Sequence, residues 1–539
     1  ILSKGIIKMS PIFVGSDSSN SRIRSNRIGF AASTTDPGSA AEGDGYYNST
    51  DDQLKVYDGS AWNAIQGSGT FEAVASGAIP NGATVVINTD GTVGIVTLVP
   101  SNTPTFGSAV VFESAQSDYV SAVYDSTNNK VVVAYTDAGN SNHGTAIVGT
   151  VSGTSISFGT PVVFESNASY LISATFDSTN GKVVICYRHG STYYGTAIVG
   201  TVSGTSISFG SAAVFESANT NSISATFDSS NNKVVIAYRD AGNSSYGTAI
   251  VGTVSGTSIS FGSAVVFESA NSAYISAVFD SSNNKVVIAY QDGGNSSYGT
   301  AIVGTVSGTS ISFGTPVVFE SADSRLISAI YDSSNNKVVI AYKDTGNSSY
   351  GTAIVGTVSG TSISFGTPVV FHSSSFDHVA ATFDSKNGRV VIAYQDGGNS
   401  SYGTAIVGAV SGTSISFGSA VVFESADTIY SAATFDSTNN KVVIGYRDRG
   451  NSEYGTAIVA TTSGTNLTTE NFIGFSDAAY SNGQTGRVQI VSSVDDAQTG
   501  LTTGAKHYVQ NDGSLSTSAG NPSVFAGTAI SATKIQVKM

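Results

Sequence analysis

The sequence predicts an all-β protein dominated by a seven-bladed β-propeller of four-stranded blades, flanked by small β domains. Three observations carry that prediction. The stretch GTAIVGTVSGTSISFG, complete at Gly144 to Gly159, recurs with its leading glycine at Gly195, Gly247, Gly299, Gly351, Gly403 and Gly455, spaced by 51 residues once and by 52 five times. Each repeat holds four runs rich in Val, Ile, Phe, Tyr and Thr, separated by Asn, Gly, Asp and Ser clusters, which is the pattern of short strands joined by tight turns. A period of this length suits a four-stranded blade of about 40 to 50 residues, whereas a solenoid coil takes roughly 20 to 30.

Within the repeat the strands differ in character. KVVIAY and TAIVGTV are apolar at nearly every position, as strands covered on both faces would be. ISATF is built of smaller residues and is assigned innermost, beside a crowded axis. The outer strand is marked by Phe106, Phe158, Phe209, Phe261, Phe313, Phe365 and Phe417, and the first of these precedes any complete blade. The last repeat departs from the pattern at Thr462. An outer strand near Phe106 to Glu113 is therefore expected to complete the seventh blade, closing the ring and removing its open edges. This places the propeller at 104–465.

The flanks are a different material. Residues 1–70 read as an attachment and oligomerisation segment. SSNSRIRSNRIGF clusters Arg22, Arg24 and Arg27, best read as a solvated or interface-pairing arm, and TTDPGSAAEGDG is a linker. GYYNSTDDQLKVYDGSAWNAI reads as an aromatic hairpin. An isolated hairpin is only marginally stable in water, so Tyr46, Tyr47, Tyr57 and Trp62 are candidate oligomerisation residues. Residues 71–103 and 466–539 share short strands and glycine turns. They are expected to combine into one small β-barrel split by the inserted propeller.

Composition narrows the function. The formal net charge is −14, which leaves no basic face for nucleic acid. The single cysteine, Cys186, occupies a position where sister strands carry Ala134, Ala237 and Ala289, and reads as a small buried hydrophobe. No run approaches the roughly 18 apolar residues of a membrane span, and ILSKGIIKMSPIFVG is too interrupted for a secretory signal. Walker, GxSxG, HExxH and paired-cysteine motifs are absent, so the chain is read as non-enzymatic and without a cofactor. Asp228 and Asp280 open the FDSSNNK turn and are read as turn caps in preference to calcium ligands. His372, His378 and Asp377 share one loop but lack a third strong ligand, so no metal is expected.

Comparison of the repeats with one another gives the functional signal. VSGTSISF is unchanged in six copies and the FDSSNNK turn varies little. The connection from each outer strand to the next inner strand varies instead, one column reading Asp118, Tyr170, Asn221, Ala273, Arg325, Asp377 and Ile429. So does the connection after the second strand, which begins Thr136, Arg188, Arg239, Gln291, Lys343, Gln395 and Arg447. Alternating strand direction puts both variable connections on one rim. The candidate receptor-binding residues are Asp118, Tyr119, Tyr170, Asn221, Tyr274, Arg325, Asp377, His378 and Tyr430, with Arg188, Arg239, Lys343 and Arg447. Tyr and Arg supply area and stacking, and the polar groups supply hydrogen bonds to sugars or protein edges.

GYYNSTDDQLKVYDGSAW resembles a segment common in tail fibres of tailed bacteriophages. GLTTGAKHYVQNDGSLSTSA and AGTAISATKI resemble a terminal module of phage structural proteins, particularly of marine phages, and the tandem GTAIVGTVSGTSISFG blades resemble repeats in the same kind of protein. The resemblance implies a virion fibre or adhesin, usually a homotrimer, exposed on the particle, with other virion proteins and a host-surface glycan or protein as partners. It carries over no catalytic residue. The alternative is a decoration or spacer of capsid or tail that binds no receptor.

Overall fold

The computed structural model describes residues 69–537 apart from residue 521, with short pieces between residues 32 and 64. Two compact units are present, one spanning Val99–Gly464 and the other joining Ile1–Leu98 to Thr465–Met539. The larger is a closed seven-bladed β-propeller. No helix among the described residues is long and apolar enough to cross a membrane.

The second blade shows the unit. Its inner strand is the latter half of Val162–Asp177, followed by Lys182–His189 and Tyr194–Ser203, all antiparallel through Ala174↔Ile185 and Ile185↔Ile198. Its outer edge is in two pieces, Ser206–Phe209 and the beginning of Ala213–Asp228. The ring closes as expected. In the last blade, Tyr454–Thr465 is edged by Leu98–Phe106 and by the beginning of Val110–Asp125, with Ala457 opposite Val110. The propeller thus begins a few residues before 104, because the whole of that first strand is an outer edge.

One expectation is corrected. The variable stretch between outer and inner strand is no loop but a continuous strand of 16 residues that runs across the rim from one blade to the next. Its backbone hydrogen bonds transfer from the third strand of one blade to the second strand of the following blade, so no unpaired segment is needed. Only the sixth crossing is interrupted, between Val369–His372 and Phe376–Asp384. There His372 replaces the usual glutamate and Phe376 is drawn fully into the core.

The doubly apolar strands are the core. Along Lys130–Asp137, Val131, Val133 and Tyr135 pack in the interface with the preceding blade, while Val132 and Ala134 pack in the interface with the following one. Each interface also buries a tyrosine from the YGTAIV-facing strand. In six blades its phenol donates to a glutamate of the crossing strand at 3.0 Å, for example Tyr290 to Glu268. Cys186 lies in such an interface, fully buried, with burial raising its thiol pKa.

The inner strands are joined across blades by serine hydroxyls. Ser121, Ser173, Ser224, Ser276 and Ser328 each accept from the backbone N–H of an alanine in the next blade, at 2.9–3.0 Å. Small residues are needed there because adjacent inner strands converge on the axis.

The FDSSNNK turn is a side-chain cap. Asp228 Oδ1 accepts from the N–H groups of Ser230 and Asn231, and Oδ2 from Asn231 Nδ2. Asp280 does the same with Ser282 and Asn283. Asp228→Ala is expected to cost about 1–2 kcal/mol in a urea melt, the scale of losing a cap, because the freed groups lie at an exposed turn and can take water. A loss above twice that figure would show that the carboxylate has a further partner.

The described residues of the second unit form no closed barrel, contrary to the sequence expectation. The unit contains two open five-stranded sheets. One interleaves the two ends of the chain: Thr70–Val74 pairs with Thr485–Gln489, and Phe472–Ser476 with Thr84–Ile87. The other is made from C-terminal strands alone, and a shared core including Val86, Phe475, Leu501 and Ile535 covers both. Further toward the N-terminus the hairpin becomes a four-stranded sheet of Ala32–Ser33, Gly45–Asn48, Gln53–Tyr57 and Trp62–Ala64. Tyr57 and Trp62 pack together at 5.4 Å. Tyr46 and Tyr47 pair with Lys55 and Leu54 in register, but their side chains, like Arg22, Arg24 and Arg27, lie outside the described residues.

Candidate binding face

The crossing strands and the connections after the second strands occupy one rim, where they hydrogen-bond to each other: Ser169 N–H to Asn142 O, Gly190 N–H to Ala168 O, Thr220 N–H to Tyr193 O. The constant turns occupy the other rim, and their constancy has a structural cause. The Thr179 hydroxyl reaches Asn232 of the next blade, as Ser230 reaches Asn284 and Ser282 reaches Asn336. A Cβ on Gly159 would fall 1.9 Å from the Thr205 carbonyl oxygen of the neighbouring SGT turn. Packing between blades dictates those turns, so their uniformity is no gauge of free drift.

On the assorted rim every crossing contains one non-glycine residue with left-handed backbone. These are Tyr119, Leu171, Ser222, Tyr274, Leu326, His378 and Tyr430, with φ between 48° and 54°. Such backbone is costly for bulky residues and persists only where the surroundings impose it. Here it lies within the register shift where the crossing bends into the inner strand. The kink puts these side chains around the mouth of the axis, lining a cavity of about 400 Å³. Tyr119 stacks against Tyr430 at 4.9 Å and Tyr170 at 5.9 Å, and His378 against Tyr430 at 5.2 Å. Burial lowers the pKa of His378 and pushes that of Tyr430 up to about 12. Leu171, Ser222 and Leu326 were not candidates from sequence, since nothing in their type announces left-handed backbone.

The two variable columns prove to face each other across the blade interfaces. Arg188 Nη1 donates to Asn221 Oδ1 at 2.8 Å and its guanidinium lies over Tyr170 and Tyr193. Lys343 pairs with Asp377 at 3.0 Å, and Arg447 with Asp118 and Glu453. The glutamines use an acceptor two residues earlier, Gln291 reaching Asp323 and Gln395 reaching Asp427. Thr136 donates to the Ser169 carbonyl. Arg325 is held by Asp323 at 2.7 Å but remains half exposed. Much of the diversity is therefore matched in pairs within the ring.

Arg239 is the exception. Its facing residues in the next blade are Ala273 and Asn271, and among the described residues no carboxylate lies in ion-pair range. Its Nε is buried without a hydrogen-bond partner, as are those of Arg188 and Arg447. What sets Arg239 apart is that its guanidinium meets no side-chain acceptor and no aromatic face among the described residues. It lines a cavity of about 430 Å³ together with Asn271, Tyr274, Gln291, Ser297 and Arg325.

The loop shared by His372, His378 and Asp377 sends its two histidines to different places. His372 Nε2 lies 3.0 Å from Asp396 and its ring packs on Tyr394, whereas His378 faces the axis, so the two do not converge.

Aromatic exposure is one-sided. Tyr193, Tyr194 and Tyr274, 50%, 36% and 37% exposed, all lie on the assorted rim, while the other exposed large apolar residues of the propeller are valines of the outer strands and Leu98 at its border. Tyr193 was missed from sequence although the repeats signal it: it stands where other copies have Ser245, Ser297, Ser349 and Ser401.

No protein-family model matches the chain, and no curated protein matches it significantly. Solved structures do. The BP39L lectin from Burkholderia pseudomallei aligns at 11% identity over 66% of this chain and 99% of its own, with a TM-score of 0.50. The SapL1 lectin in complex with alpha methyl fucoside aligns at 15% identity over 58% and 98%, with a TM-score of 0.38. AofleA from Arthrobotrys oligospora aligns at 10% identity over 65% and 97%, with a TM-score of 0.37. At these identities the likeness is one of fold.

Proposed function

We propose that this chain is a non-enzymatic fibre or appendage protein of a tailed-phage virion, whose propeller binds a host-surface glycan with its assorted rim while the terminal regions assemble it, as a homotrimer, with other virion proteins. The observation that carries the binding reading is the confinement of the propeller's exposed aromatic side chains to that rim, beside guanidinium and amide groups. Flat tyrosine rings offer contact area at small entropic cost, and polar neighbours fix orientation. Repetition of the head within an oligomer would compensate weak single contacts. The likeness in fold to the BP39L lectin agrees with this reading.

The test is a glycan array probed with the purified protein and with a Tyr193→Ala, Tyr194→Ala, Tyr274→Ala triple variant. At least tenfold weaker binding by the variant is expected, about 1.4 kcal/mol, with the cooperative melt of the propeller retained because none of the three rings belongs to a blade core. Undiminished binding would overturn the assignment of the face. The pairing of one variable column with the other favours a second reading, a spacer whose rim varies only to match neighbouring blades. That reading predicts no glycan binding and an assorted rim buried on the particle.

A further inference from the structure

Seven equivalent seats lie between blades on the assorted rim, each formed by the end of a second strand and the crossing of the next blade. Six are filled from within. The seat of Arg239 is not, because the crossing brings Ala273 to the position where the first and sixth blades bring Asp118 and Asp377. What remains is a guanidinium without a side-chain partner among the described residues, lining an open cavity of about 430 Å³. Its other walls are amides, hydroxyls and the Tyr274 ring. The second guanidinium, Arg325, already has its charge matched by Asp323.

We propose that this seat takes the carboxylate of an acidic sugar, such as a hexuronate. The ligand would supply the group that Asp118 and Asp377 supply in the filled seats. A carboxylate fits the planar fork of arginine through two parallel hydrogen bonds. Asn271 and Gln291 can meet ring hydroxyls, and Tyr274 offers an apolar flank. A partly buried cation left without an anion is unfavourable, so the site favours charged over neutral sugars even though the chain as a whole is acidic. The inference rests on the glycan-binding reading and narrows its ligand class.

The experiment is calorimetric titration with methyl β-glucuronide, its methyl ester, methyl β-glucoside and a methyl galactoside 6-sulfate. Ala273→Asp places an internal carboxylate in the seat, as in the sixth blade. Arg239→Gln installs the residue found there in the fourth and sixth blades, and so preserves folding should the first variant not. The glucuronide is expected to bind at least tenfold tighter than its ester or the glucoside, with the preference abolished in both variants. Equal binding of acidic and neutral sugars, or a preference that survives Arg239→Gln, overturns the inference while leaving glycan binding intact. Equal binding of the sulfate overturns the carboxylate in favour of any anion. Failure of every glycan on the array to bind removes the broader reading, and this inference with it.

Discussion

Raising the pH above about 10 is expected to unfold the propeller in one steep transition. Tyr135, Tyr187, Tyr238, Tyr290, Tyr342, Tyr394 and Tyr446 are fully buried, and burial raises the pKa of every one, with the neighbouring carboxylate adding to it. A phenol whose folded pKa is raised contributes stability that is whole below the unfolded value near 10, where both states keep the proton. That stability drains away as the pH climbs beyond 10, where only the unfolded chain releases it. Each proton is worth about 1.4 kcal/mol per pH unit, so seven acting together give about 10 kcal/mol per unit. Total stability of a folded domain is typically about 5–15 kcal/mol. The fold should therefore be lost within about one to one and a half units.

Circular dichroism and tyrosinate absorbance check this on the same sample. Buried phenols should ionise only as the strand signal disappears. Tyr290→Phe should lessen the slope by one proton, and at neutral pH should leave Glu268 without its donor. Ionisation of all the tyrosines near pH 10 with the β signal intact would refute the account.

How much of this was legible beforehand depends on the range of the interaction. The blades were readable because repeat length, doubly apolar strands and small inner residues are local properties, each tied to one position in a blade. The caps at Asp228 and Asp280 were readable for the same reason. The left-handed residues were not, because Tyr119, Leu326 and His378 are forced into that backbone by the crossing between blades and not by their own preference. The pairing of the columns was present but offset by one repeat: Lys343 answers Asp377, and Arg447 answers Asp118, only when the end of one second strand is read against the next crossing. The two-sheet flank escaped because its pairings, such as Phe472 with Val86, join strands separated by the whole propeller. Short strands with glycine turns serve barrels and open sheets alike.

Asp118→Ala is expected to cost about 2–3 kcal/mol, and Asp377→Ala less than about 1 kcal/mol, although both remove a carboxylate from the same column. Burial decides between them. Lys343 is largely buried, but Asp377 is half exposed, so water reaches the ammonium once the carboxylate is removed and solvent screening discounts the loss. Asp118 and Arg447 are both largely buried. Deleting one partner of a buried pair strands the other charge, at a cost of about 3–5 kcal/mol. Arg447 keeps Glu453 and the Tyr430 face, which lowers the expected loss. The position matters as well. Arg447 belongs to the last blade and Asp118 to the first, so the pair reinforces a ring whose only non-covalent seam is the pairing of Tyr454–Thr465 with strands from the beginning of the propeller. Asp118→Ala should therefore accelerate proteolysis near residues 107–117 more than elsewhere. Denaturant melts of both variants, with the Asp118→Ala/Arg447→Met double variant recovering part of the loss, measure the pair directly. Equal losses at the two sites would mean that burial at the seam does not set the strength of closure.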